Sequence, residues 1–193
     1  DHEALRWLGA NDRYFLLTCI LRRPDMVDER VREWVFFRSR EVEADPDDYL
    51  DLWARDHYKS STITFAGSIQ EFIKDPEITA CIFSHDKPTA KAFLGQIKRE
   101  LEDNEVLKKL YPDVFWSVPA TQAPWWSLDE GIVIKRKGNP KEATLEASGL
   151  VDGMATGKHF RLRIYNDVVT EQSVTTPDMI RKVTSQYELS LEL

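Results

Sequence analysis

The sequence predicts an α/β protein with a mainly parallel central sheet flanked by helices and a helical segment at its N-terminus. Three observations carry that expectation. Short apolar runs of strand length alternate with longer amphipathic stretches, as where Ile78–Phe83 is followed by the stretch from Pro88. Those runs hold β-branched and aromatic residues suited to burial on both faces of a sheet. The first part of the chain shows mixed helical spacing of apolar residues and no strand-like run.

Taken in order, Trp7–Leu8 with Tyr14–Leu21, and Val31–Val35 with Phe36–Phe37, read as two helices joined at Arg23-Pro24-Asp25. Asp45-Pro46-Asp47-Asp48 reads as a turn, and Tyr49–Ala54 as a first strand. A helix is expected from Ser60, with Ile63, Ala66, Ile69 and Ile73 on one face, ending at Asp75-Pro76-Glu77. Ile78–Phe83 is a second strand, followed by a long helix with Phe93, Ile97 and Leu101 in register. Tyr111–Asp129, with its prolines and tryptophans, reads as an irregular loop. Gly131–Arg136 and Ala143–Ala147 form a hairpin around Gly138-Asn139-Pro140, and Phe160–Val169 is a last strand before a helix from Pro177.

Composition bounds the function. The 193 residues are 42% hydrophobic and 31% charged, an ordinary globular balance. No run approaches the roughly 18 apolar residues of a membrane-spanning helix, and charges interrupt the first twenty positions where a secretory leader would be apolar. Cys19 and Cys81 form no CxxC pair, and His2, His57, His85 and His159 show no metal-ligand spacing. The net charge is −7, from 33 acidic and 26 basic residues, so bulk charge does not hold nucleic acid.

The stretch Trp53-Ala54-Arg55-Asp56-His57-Tyr58-Lys59-Ser60-Ser61 joins the first strand to a helix start. A phosphate-binding loop needs that topology, because loop amides and a helix N-terminus then converge on the anion. It also needs a Lys for the phosphates and a Ser or Thr for magnesium, and Lys59 and Ser60 supply both. Trp53 and Tyr58, however, stand where the GxxxxGK[ST] pattern has glycine. The plainer alternative makes Ser60 a helix cap and Lys59 a solvated side chain. Far downstream, the strand Leu162-Arg163-Ile164-Tyr165 ends in Asn166 and Asp167, where such enzymes place their magnesium- and water-handling acids. An ordinary Asn-Asp turn is the competing reading.

These segments, with Ile82-Phe83-Ser84-His85, Lys141-Glu142-Ala143-Thr144 and the run His159–Thr170, resemble large terminase subunits of tailed double-stranded DNA bacteriophages. The resemblance runs from about Leu50 to the C-terminus. That family carries a deviant phosphate loop without the usual glycines and with an Arg four residues before the Lys, the spacing of Arg55 and Lys59. It implies a P-loop NTPase core over residues 49–193 behind a helical subregion at 1–48. The implied activity is ATP hydrolysis that drives viral double-stranded DNA into the procapsid, with ATP and magnesium as cofactors.

Carried over by position, Arg55, Asp56, His57, Tyr58, Lys59, Ser60 and Ser61 surround the nucleotide. Lys59 contacts the phosphates, and Ser60, Asn166 and Asp167 form the magnesium side. Arg55 serves the γ-phosphate or a neighbouring element. Asp167 is the first catalytic acid, with Glu171 in reserve, and which of them polarises water stays open. The resemblance further implies the portal protein, the small terminase subunit and a ring of like copies on the procapsid as partners. It places the protein in the cytoplasm of an infected bacterium, without a membrane. We expect the chain to be a fragment that stops before a nuclease domain. One departure stands out: the family reads Asp-Asp where this chain reads Asn166-Asp167, and an amide brings no charge to a metal.

Other residues keep two readings. Trp116, Trp125 and Trp126 pack the loop onto the core, in preference to forming a base-stacking surface. Lys135, Arg136, Lys137 and Lys141 meet either DNA phosphate or solvent. His85 and Lys87 follow a strand C-terminus, the rim where α/β proteins bind ligands. Two further functions compete with a packaging ATPase: a helicase-like translocase, and a non-catalytic binding module in which Lys59 is structural.

Overall fold

The computed structural model of the protein describes residues 1–44, 50–152, 154 and 157–193. The N-terminal segment is helical, and it breaks where the sequence supplies a cap. Helix α1 (His2–Asn11) starts on Asp1, whose carboxylate accepts the Glu3 N–H. It ends at Asp12, in extended backbone, whose own carboxylate accepts from Phe15 N–H and so opens α2 (Arg13–Phe15). A π-wound turn, Leu16–Ile20, and a 3-10 turn, Pro24–Val27, lead to α3 (Arg32–Ala44). Leu16, Leu17, Ile20, Met26 and Val35 from this segment share one apolar cluster with Phe65, Ile69 and Phe72.

A second π-wound stretch, Ser60–Ala66, runs into α4 (Gly67–Lys74), and Asp75 stops it in extended backbone. Strand β1 (Ala80–Ser84) is buried along its whole length. Asp86 caps α5 (Lys87–Asp103) by accepting from Thr89 N–H, with Pro88 in the first turn. Short helices α6 (Glu105–Leu110) and α7 (Pro119–Gln122) follow, then β2 (Trp126–Ser127), β3 (Gly131–Ile132), β4 (Leu145–Gly149) and β5 (Leu162–Tyr165). Helix α8 (Pro177–Ser190) closes the order, capped by Thr176.

Among the described residues the sheet has the order β2-β3-β4-β1-β5. Alternation along β1 divides the core between its faces. Ala80 and Ile82 join the large cluster with Leu94, Ile97 and Leu101 of α5. Cys81 and Phe83 face a smaller cluster with Leu150, Phe160 and Val183 of α8. Burial pushes the Cys81 thiol well above its ordinary range, so it serves as a small apolar side chain.

Two expectations are corrected. The sheet is mixed: β1 pairs in parallel with β4 and β5, whereas β2–β3 and β3–β4 are antiparallel. The cause is local, since β2, β3 and β4 follow one another as a meander while β1 and β5 join through crossovers. The strand expected at Tyr49–Ala54 is not there over residues 50–54. Leu50 and Leu52 are 79% and 83% exposed, so these leucines of the short apolar run that suggested a strand face solvent. Tyr49, and the turn expected at Asp45–Asp48, lie outside the described residues.

Gly131 opens β3 at φ 95°, and a Cβ there would lie 2.6 Å from the Leu145 carbonyl oxygen. Gly131→Ala should therefore cost about 1–3 kcal/mol of stability, through strain and overpacking at the β3–β4 pairing. Urea denaturation would show it as a lower midpoint with an unchanged slope, and an unchanged midpoint would contradict it.

Candidate functional site

Strand β5 brings its C-terminal end to the start of the Ser60 helix. Beyond Tyr165 the chain keeps contact with β1: Asn166 N–H donates to the Phe83 carbonyl at 2.8 Å, and Ser84 Oγ donates to the Asn166 carbonyl at 2.6 Å. Asn166 is 2% exposed. Its side-chain Oδ1 accepts from Ser60 Oγ at 3.3 Å and from Thr64 Oγ1 at 3.2 Å. Ser60 and Thr64 lie one turn apart and present their hydroxyls to the same atom. Asp167 follows in a left-handed turn at φ 52°, and its Oδ1 stands 3.3 Å from Lys59 Nζ. Residues 106 and 108 positions apart thus meet at one place.

The loop before Lys59 is held by α3 instead of by the sheet. Asp51 Oδ1 accepts from the Arg38 guanidinium at 2.5 and 3.0 Å and from Trp53 Nε1 at 2.8 Å. Trp34 of α3 meets Trp53 and His57 edge to face, with centroids 5.8 and 5.9 Å apart. Within the loop, Asp56 and Tyr58 both take φ 61°. A bulky residue in that region is strained, and Tyr58 stands where the generic motif has glycine. Its partly buried ring packs against the main core, a reason for an aromatic there. The left-handed Tyr58 is followed by a right-handed Lys59 (φ −50°, ψ −55°), a succession of the kind from which anion-binding nests are built.

The first helical bond runs from Thr62 N–H to the Tyr58 carbonyl at 3.0 Å. The amides of Lys59, Ser60 and Ser61 precede it and have no acceptor within the helix. Ser60–Ala66 is π-wound, an uncommon geometry that occurs often at functional sites. The site can therefore present unpaired amides, an ammonium and a hydroxyl to an anion, beside a carboxylate.

The other expected residues are placed less closely. Arg55 and Asp56 are exposed, and the Arg55 carbonyl lies 2.8 Å from His57 Nδ1. Glu171 is exposed at the start of the turn Gln172–Val174 and, among the described residues, forms no hydrogen bond or ion pair with Lys59, Ser60 or Asn166. Thr64 and Ser84 were not singled out from the sequence, nor were Asp51, Arg38 and Trp34. Thr64 had a readable signal, a second hydroxyl one helical turn after Ser60.

The basic hairpin is largely occupied by structural contacts. Lys135 donates to the Pro112 carbonyl and lies over the Trp116 ring, Arg136 donates to the Pro140 and Glu142 carbonyls, and Lys141 bonds the Gly157 carbonyl. Trp116 donates to the Val133 carbonyl and Trp126 to Glu102, while Trp125 is 36% exposed. His85 pairs with Asp86 at 3.0 Å, and the Thr89 N–H holds the Asp86 carboxyl below its ordinary range. A cavity of about 530 Å³, lined by Arg22, Arg23, Arg99 and Asn104 among others, is lined by none of the loop residues.

No protein-family model and no curated protein sequence matches the chain.

Asp51→Ala removes the acceptor that holds the loop to Arg38 and Trp53. The Trp53 indole N–H, which donates to Asp51, should exchange with solvent about ten-fold faster, with a stability loss of about 1–3 kcal/mol for the side chains left unpaired. Solvent exchange of the Trp53 indole proton followed by NMR reads this directly, and an unchanged exchange rate would contradict the anchoring.

Proposed function

We propose that the chain binds a nucleoside triphosphate at the start of the Ser60 helix and hydrolyses its terminal phosphate bond. One observation carries the reading: Lys59 and Ser60 meet Asp167 and Asn166 across more than a hundred residues of intervening chain. A structural ion pair would account for Lys59 and Asp167 alone. It would not account for the strained Tyr58 backbone or the π-wound helix start, which a phosphate cradle does.

In this reading the ammonium of Lys59 leaves Asp167 for the phosphates, and the amides at 59–61 donate hydrogen bonds to the anion. Asp167, 64% exposed in its side chain, is then free to orient the attacking water. Arg55, exposed within the loop, is available to the developing charge on the transferred phosphoryl group. Magnesium, when bound, neutralises phosphate charge. Ser60 Oγ, Asn166 Oδ1 and Asp167 are oxygen donors that fit that ion. Among the described residues no group of three or more His, Cys, Asp or Glu could cage a metal. A magnesium ion here would take its remaining ligands from substrate phosphates and water, as that ion commonly does.

The resemblance to large terminase subunits directs the finer proposal. The nucleotide is ATP, and hydrolysis drives double-stranded viral DNA through a portal, with the small terminase subunit and further copies of the chain assembled at the procapsid. The deviant loop supports it, because Tyr58 takes the backbone form that glycine supplies in the common motif. The structural use of Lys135, Arg136 and Lys141 supports a local, salt-sensitive contact with DNA over a broad basic surface.

Titration calorimetry with ADP, and phosphate release from ATP with magnesium, test the proposal. Lys59→Ala should weaken nucleotide binding at least ten-fold, about 1.4 kcal/mol. Asp167→Asn should retain binding and lose turnover by about a hundred-fold. Equal binding by the Lys59 variant, or full turnover by the Asp167 variant, would refute the assigned roles.

A further inference from the structure

Asp167 faces a positional problem that its own surroundings do not solve. Its carboxylate is 64% exposed on a left-handed turn, where a side chain would ordinarily sample several rotamers. Two contacts restrain it: Lys59 Nζ at 3.3 Å and the Asn166 side-chain amide, whose Nδ2 lies 3.5 Å from Asp167 Oδ2. The first is lost when Lys59 turns to a phosphate. The second remains only if the Asn166 amide itself is held.

The direction of that amide follows from donor and acceptor counting. An ionised carboxylate only accepts, so the NH2 of Asn166 belongs on the Asp167 side and its oxygen on the hydroxyl side. Ser60 and Thr64 donate to that oxygen. Ser60 is the hydroxyl that a cation would draw away. Thr64 is different: it is 1% exposed, one turn deeper, and out of reach of solvent. A helical threonine commonly turns its hydroxyl to the carbonyl of the preceding turn. Here the Thr64 hydroxyl crosses to the sheet instead. The Asn166 backbone is fixed independently by Phe83 and Ser84, so the side-chain torsions are what Thr64 controls.

We infer that Thr64 is a positioning residue, which acts through Asn166 to keep the Asp167 carboxylate aimed while Lys59 and Ser60 are engaged with ligand. On this inference Asn166 is more than a weakened metal ligand. An amide has an N–H to offer Asp167, and a carboxylate in its place would set like charges side by side. The inference rests on the hydrolysis reading for its kinetic consequence, but its geometric content stands on the free protein.

Thr64→Val keeps the shape and removes the hydroxyl. It should lower kcat about ten-fold, as expected for a small misplacement of a reacting group, and leave KM for ATP within about three-fold. Thr64→Ser, which returns the hydroxyl, should recover kcat to within about three-fold of the parent. The second readout is independent of turnover: the side-chain amide resonances of Asn166 in 1H–15N spectra of the free protein and of the ADP complex. They should move toward those of a solvated asparagine in Thr64→Val and stay in place in Thr64→Ser. Should Thr64→Val fail to melt cooperatively, Thr64→Ala serves the same comparison. Unmoved Asn166 amide resonances in a folded Val or Ala variant overturn the inference, as does a serine variant no better than valine. A parent protein that releases no phosphate counts against the hydrolysis reading alone, and the amide resonances then decide the inference by themselves.

Discussion

Asn166 is bolted to the end of β1 through its backbone and to the start of the Ser60 helix through its side chain. Phe83 and Ser84 hold the first, Ser60 and Thr64 the second. The relative placement of the sheet and the loop before Ser60 depends on this double attachment. A shift of one residue in the β1–β5 register would turn Asn166 to the opposite face and carry Asp167 away from Lys59. Parallel pairing of Ala80 with Leu162 and Phe83 with Tyr165 fixes that register, and the buried side chains of β1 enforce it from both sides.

The loop is built on strain. Asp56, Tyr58 and Asp167 all occupy the left-handed region, at a cost on the order of 1–3 kcal/mol for each such residue. What offsets it lies nearby: the Tyr58 ring packs on the main core, and Asp51 ties the preceding segment to Arg38 and Trp53. Strain held by surrounding contacts, around unpaired amides and a lysine, is the arrangement that pre-organised ligand sites use. The cluster is also internally compensated, since the charges of Lys59 and Asp167 neutralise each other.

Much of this was legible in the residues. Lys59 and Ser60 at a helix start, and Asn166 with Asp167 at a strand end, follow from local pattern, and their order in the chain suggested that they meet. The helices at Ser60 and Pro88 and the strand at Ile78–Phe83 came from periodicity that the core then uses. The strand expected at Tyr49–Ala54 misled because the apolar run has the length of a strand while Leu50 and Leu52 face solvent. Tertiary contacts with α3, through Trp34 and Arg38, decide that segment, and local pattern does not encode them. The antiparallel β3–β4 pair was legible as the hairpin of Gly131–Arg136 with Ala143–Ala147, but β2, two residues long, is too short for a period to register. Ser84 acts across the fold, where spacing along the chain gives little sign, whereas the spacing of Thr64 from Ser60 was readable and only its partner Asn166 was not.

Where a nucleotide places its phosphates decides whether this loop and this strand end form one site. A structure of the protein with ADP and magnesium should show the β-phosphate within hydrogen-bonding distance of Lys59 Nζ and of the amides at residues 59–61. Lys59 should have turned from Asp167, and Asn166 should still accept from Thr64. Phosphates bound away from Lys59, or an intact Lys59–Asp167 pair with nucleotide seated elsewhere, would contradict the central claim that this loop and this strand end are one site.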